Sequence, residues 1–91
     1  MFTKFLQNSF LMKVTILLFG IVRDIVQSGS ISLESDSIST VASLKTLLFE
    51  KYPKLKVYSN FSVAVNEAYV EDSYILKNND TVAIIPPVSG G

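Results

Sequence analysis

The amino-acid sequence predicts an α+β fold, a mixed sheet of about five strands with one main helix packed across one face. Three observations lead there. Strand-like stretches with apolar residues at every second position occupy both halves of the chain, and one central stretch repeats them at spacings of three and four. At 91 residues there is room for a single domain, and 48% hydrophobic residues supply enough apolar surface for its core.

The pattern opens at Lys13 to Phe19, where Val14, Ile16 and Leu18 fall on one strand face and Thr15, Leu17 and Phe19 on the other. That second face is also largely apolar, which an outer face in a water-soluble monomer does not require. Ile21 to Val26 suffices for one or two helical turns, and Gly29 permits a turn. Ser30 to Glu34 alternates around Ile31 and Leu33, giving a second strand antiparallel to the first. Thr40 is placed to cap the main helix, which runs from Val41 to about Tyr52. Its apolar stripe is Val41, Leu44, Leu48 and Tyr52, widened by Leu47, with Lys45, Glu50 and Lys51 away from it; Pro53 ends it.

Phe61, Val63 and Val65 mark a third strand, Asn66-Glu67 a turn, and Tyr69 and Val70 a short fourth strand. Asn78-Asn79-Asp80 turns the chain into a last strand, Thr81 to Ile85, which stops at Pro86 because proline cannot donate the next ladder hydrogen bond. The helix links two strands that should run parallel in one sheet. This is the β-grasp pattern of ubiquitin-like proteins. The predicted organisation is an N-terminal extension over 1–11 carrying Phe2, Phe5 and Phe10, a β-grasp domain over 12–87, and an extended diglycine tail over 88–91.

Eight basic and eight acidic side chains cancel, so the broad positive field of a nucleic-acid binder is missing. Lys45, Lys51, Lys54 and Lys56 gather in one stretch and Glu67, Glu71, Asp72 and Asp80 in another, each read as a solvated face. The sequence contains neither cysteine nor histidine, which removes thiolate and imidazole catalysis, disulfides and Cys- or His-based metal sites. Lys13 interrupts the apolar run near the start, and Arg23-Asp24 closes it where a signal peptide needs small residues. The run is also too short to span a bilayer. A cytoplasmic protein that binds no membrane is expected.

Three stretches together resemble the small subunit of molybdopterin synthase: Leu18-Phe19-Gly20-Ile21-Val22-Arg23-Asp24, Ala64-Val65-Asn66-Glu67, and Asp80 to Gly91 with its ending Pro86-Pro87-Val88-Ser89-Gly90-Gly91. The last is the most specific. Ile84 and Ile85 stand where that family often has aromatic residues, and Asp24 where glutamate is common; both changes keep the chemical type. The resemblance implies a sulfur carrier acting through its C-terminus. A ubiquitin-activating-type enzyme would use ATP to adenylate Gly91, and a sulfur donor would convert the acyl-adenylate to a thiocarboxylate. The large catalytic subunit would then receive that sulfur for the pterin dithiolene of the molybdenum cofactor, within a heterotetramer. On this reading the chain is a sulfur-donor subunit rather than an enzyme alone, with no permanently bound cofactor and no metal.

The tail suits such chemistry. Gly90 and Gly91 present no side chain to a narrow channel, and Pro86 and Pro87 hold the preceding backbone extended. The four residues after Pro87 reach about 13 Å at roughly 3.3 Å each. If the first and last strands pair, as in β-grasp proteins, Leu17, Phe19, Ala83 and Ile85 share one outward face. That face is the predicted docking surface, with Pro86, Pro87, Val88 and Ser89 leading from it into the partner. Arg23 is read as bridging either to neighbours on the Asp24 side or to a partner carboxylate. Two alternatives remain open: a sulfur carrier for thiamin thiazole synthesis, and a ubiquitin-like protein modifier or interaction module.

Overall fold

The computed structural model describes residues 11–58 and 60–87. The expectations for 1–10 and for the tail residues Val88, Ser89, Gly90 and Gly91 lie outside the described residues. Alternation in the first apolar run makes β1 (Met12–Leu18), with Val14 and Ile16 fully buried and Leu18 almost so. Phe19 continues the extended backbone at φ −131° and ψ 156°, and Gly20, at φ +58°, turns the chain into a short helix, α1 (Gly20–Val26). Only a residue without Cβ enters that region freely. Gln27 closes α1 in a left-handed conformation, its N–H donating to the Arg23 carbonyl at 2.8 Å. The chain returns as β2 (Ser30–Ser35), antiparallel to β1, with Leu33 opposite Val14 and Ile31 opposite Ile16.

The main helix, α2 (Val41–Lys51), begins where its free N–H groups find partners. The Thr40 hydroxyl accepts from the Ser43 N–H at 3.2 Å, and the Ser43 hydroxyl accepts from the Thr40 N–H at 2.9 Å. The next two donors, the N–H groups of Val41 and Ala42, reach the carbonyls of Tyr74 and Asp72, both at 3.0 Å. Replacing Thr40 by Ala is expected to cost about 1 kcal/mol, measurable as a lower urea midpoint with unchanged slope. Val41, Leu44 and Leu48 form the buried stripe. Leu48 is wholly buried, so Leu48→Ala should destabilise by about 3 kcal/mol, a large part of the roughly 5–13 kcal/mol available to a domain of this size. Chemical denaturation measures it.

Pro53 starts a 3₁₀ segment (Pro53–Tyr58) that the sequence patterning left unassigned; it packs against both helices and buries Leu55 completely. Then come β3 (Ser62–Val65), β4 (Ala68–Val70) and β5 (Thr81–Ile85). The sheet order is β2-β1-β5-β3-β4. β5 lies between β1, to which it is parallel, and β3, to which it is antiparallel. β2 and β3, the strands joined through α2, therefore point the same way with two strands between them. This is the expected β-grasp arrangement. Its core is the space between α2 and the inner sheet face, where Ile16, Leu44, Leu48, Val82 and Ile84 meet.

Two charged residues depart from the expected solvated faces. Lys45 folds its stem against the helix flank: its ammonium lies 5.3 Å from the Phe61 ring centroid and 2.7 Å from Asp72 Oδ1. A long aliphatic stem can cover apolar surface while its head reaches a carboxylate at the edge. Asp80 is buried, accepting from the Lys77 N–H at 2.8 Å and from Asn66 Nδ2 at 3.0 Å. A carboxylate with two donors can leave bulk water at modest cost, and composition does not reveal such local donors. Both residues anchor the connection between β4 and β5, which is further tied down by the Leu76 N–H donating to the Ser39 carbonyl at 2.8 Å.

Candidate functional site

The helices cover one face of the sheet and leave the other open. Strand register explains its shape. Leu17 pairs with Ala83, Ala83 with Ala64, and Ala64 with Tyr69, so one cross-strand row runs large, small, small, large across four strands. Two alanines make the floor; Leu17 and Tyr69 make the walls. The result is a groove of about 560 Å³. Phe19 and Ile85 line one end of it, and Thr81, Asn66 and Glu67 the other. Phe19 is 47% exposed and Tyr69 73%, so large apolar surface faces solvent here rather than the core.

The four residues expected on the outward face, Leu17, Phe19, Ala83 and Ile85, are thus brought together in one concavity. Phe19 stands just beyond β1, and its extended backbone keeps the alternation that puts it on the side of Leu17. Arg23 is not part of the groove. It is exposed on α1, its guanidinium beside Gly29, and among the described residues it forms no ion pair.

Pro86 is half-buried and Pro87 exposed at the end of β5. A Cβ added to Gly20 would lie 3.1 Å from Pro86 Cγ, so the ring is seated directly on that glycine. The first and last of the three sequence motifs therefore meet in space: Phe19 walls the groove and Gly20 seats the proline that starts the tail. Replacing Gly20 by Val is expected to strain the backbone and push Pro86 aside, which would appear as a lower melting temperature, a shifted amide resonance at Ile85 and shifted ring resonances at Pro86 and Pro87.

Ala64, Asn66, Glu67, Tyr69 and Thr81 also line the groove; Ala64, Asn66 and Glu67 belong to the second family-like stretch, but the sequence reading placed none of the five on the docking face. A signal existed for Ala64, the small outward residue between the buried Val63 and Val65, mirroring Ala83 between Val82 and Ile84. Without the strand order it could not be connected to Leu17. The chemistry of the groove is sparse. Among the described residues its only ionisable carboxylate is Glu67, and no group of three or more acidic side chains could hold a metal ion. Among the same residues, no helix is long and apolar enough to cross a membrane.

A β-grasp domain whose central strand lines an open apolar groove and runs into a Pro-Pro-x-x-Gly-Gly ending defines a ubiquitin-like carrier class. Comparison with known proteins agrees: the ThiS family model matches residues 16–91, and the chain belongs to that family. It is 38% identical over 80 residues to the molybdopterin synthase sulfur carrier subunit of Arabidopsis thaliana, covering 87% of this chain and 83% of that protein. The structure is similar to that of a putative molybdopterin converting factor, subunit 1, from Pyrococcus furiosus, with a TM-score of 0.76, 26% identity, and coverage of 85% of this chain and 99% of that one. A chain in the complex of subunits 1 and 2 of molybdopterin-converting factor from Helicobacter pylori has the same fold, with a TM-score of 0.63, 22% identity, and coverage of 88% and 100%.

Proposed function

We propose that this chain is the sulfur carrier subunit of a molybdopterin synthase. It carries sulfur as a thiocarboxylate on Gly91 and delivers it to a pterin precursor held by a large catalytic subunit. The observation that carries this reading is the continuity of β5. The strand that forms the groove floor at Ala83 and lines one end at Ile85 leads directly into Pro86-Pro87, and the sequence reaches the diglycine two residues further on. A partner seated on the groove therefore meets Pro86-Pro87, where the tail begins, at a fixed place. Family membership and the names of the relatives support the same reading.

The free carboxylate of Gly91 must first become a better acyl donor, because its charge repels nucleophiles and its oxygen leaves badly. Transfer of AMP from ATP by a separate adenylating enzyme, with release of pyrophosphate, supplies that leaving group. Attack by the outer sulfur of a donor persulfide releases AMP and forms an acyl disulfide, and a thiol that then attacks the donor's inner sulfur leaves the thiocarboxylate on Gly91 and a disulfide on the donor side. Gly90 and Gly91 keep the path to the carboxyl carbon open. Large-subunit binding engages Leu17, Phe19, Ala83 and Ile85, with Pro86 to Ser89 passing into its active site and Arg23 reaching a carboxylate beside the groove. The chain itself holds no cofactor and acts in the cytoplasm.

Intact-mass analysis after incubation with ATP, the adenylating enzyme and a sulfur source tests the reading. Replacement of one oxygen by one sulfur at Gly91 is the expected result; an isopeptide-linked product with no sulfur gain would instead place the chain among protein modifiers. A carrier for thiamin thiazole synthesis shares the tail chemistry and differs in its acceptor. The curated relatives and the Pro86-Pro87 pair weigh for the molybdopterin acceptor.

A further inference from the structure

The turn between β3 and β4 contains a residue its backbone does not favour. Val65 pairs with Ala68, leaving the two-residue loop Asn66-Glu67, and both residues have positive φ, 49° and 76°. Tight hairpin turns with two positive φ values prefer Asn followed by Gly. Asn66 fits that preference, whereas Glu67 occupies the position where a glycine would be unstrained.

The surroundings hold the strained turn in place. Asn66 donates through Nδ2 to the buried Asp80 at 3.0 Å and accepts the Thr81 N–H through Oδ1 at 3.1 Å, while its own N–H donates to the Thr81 carbonyl at 2.9 Å. Asp80 is fixed in turn by the Lys77 N–H. This network anchors the backbone that presents Glu67, which is exposed and, among the described residues, is the only charged side chain lining an otherwise mostly apolar groove. No described cation pairs with it; the single ion pair among the described residues is Lys45–Asp72.

We infer that Glu67 is a registration point for the protein that docks on the groove: it receives a Lys or Arg side chain set at one end of an otherwise apolar partner surface. The inference rests on the docking role proposed above. Glu67 sits at the Thr81 end of β5 and the tail leaves from the Ile85 end, four strand rises or about 13 Å away. An apolar groove alone lets a partner slide or bind reversed. A carboxylate at one end and the tail at the other fix both direction and position, as charge complementarity does in general. The partner thus carries its cation about 13 Å or more from the mouth of the channel that accepts the tail.

The test measures binding of the full chain to the cognate large synthase subunit at several salt concentrations, for wild type, Glu67→Gln, Glu67→Lys and Glu67→Gly, with melting temperatures alongside. Glu67→Lys is expected to weaken binding about tenfold or more at low salt and Glu67→Gln about threefold, both with a flatter salt dependence than wild type. Glu67→Gly is expected to melt at a higher temperature yet bind as weakly as Glu67→Gln, an opposition that a purely structural turn residue cannot produce. Wild-type affinity and salt slope in Glu67→Lys and Glu67→Gly, with binding lost in Phe19→Asp, would overturn the inference and leave the docking face standing. If Phe19→Asp also binds normally, the docking reading itself fails.

Discussion

A chain lacking Gly91 is expected to fold and melt like the full-length protein and to transfer no measurable sulfur, a loss of at least about a thousandfold in product formation. Truncation moves the carboxylate back by one residue, about 3.5 Å, and puts the Ser89-Gly90 peptide where the diglycine belongs. Displacements of about 1 Å at a reacting centre already cost on the order of a hundredfold. The sequence offers nothing to compensate, because it contains no cysteine or histidine that could carry sulfur or move a proton in place of the terminus. Gly91→Ala keeps the length and adds one methyl group beside the reacting carbon, so it should fall between wild type and truncation. Single-turnover sulfur transfer to the pterin precursor, with the large subunit in excess, measures both. Full activity of the truncated chain would mean that the terminus is not the carrier.

The parts of this molecule that were legible from sequence are those governed by local rules. Period-two alternation located β1, β2, β3 and β5 because each buries one face; Thr40 and Pro53 bounded α2 because a cap and a proline act within one turn. The docking face was half legible. Leu17, Phe19, Ala83 and Ile85 could be assigned to an outward side by alternation, and pairing of the first and last strands follows from the fold class. The other half of the groove depends on β3 and β4 packing beyond β5, a non-local fact that no spacing of residues announces. Ala64 and Tyr69 were missed for that reason. Lys45 and Asp80 were misread for a related one: Asp72 meets Lys45 only when the β4–β5 connection folds back and Phe61 only when the segment before β3 packs on α2, while Asp80 takes one donor from Asn66 across the sheet and the other from the Lys77 amide within its own turn. Charge taken from composition counts groups but not their company.

Phe19→Asp is expected to weaken binding of the large subunit by about two to four orders of magnitude while shifting the urea midpoint little. The two effects separate because of where Phe19 stands. It is 47% exposed in the free protein, it lies beyond the last paired residue of β1, and it has no place in the core cluster between sheet and helix. Folding therefore loses little when the ring goes. Docking loses much more: an aromatic wall that a partner would cover contributes about 2–3 kcal/mol on burial. A carboxylate in its place adds a desolvation penalty of about 1–3 kcal/mol unless a partner cation meets it. Ala83→Leu supplies the complementary test at the floor, where the added side chain fills the groove with apolar bulk and introduces no charge. If apolar shape governs docking, both variants lose affinity; if only exposed hydrophobicity matters, Ala83→Leu retains it. Wild-type affinity in both would move the partner to another surface, and the tail would then have to reach its acceptor without the guidance of the strand that bears it.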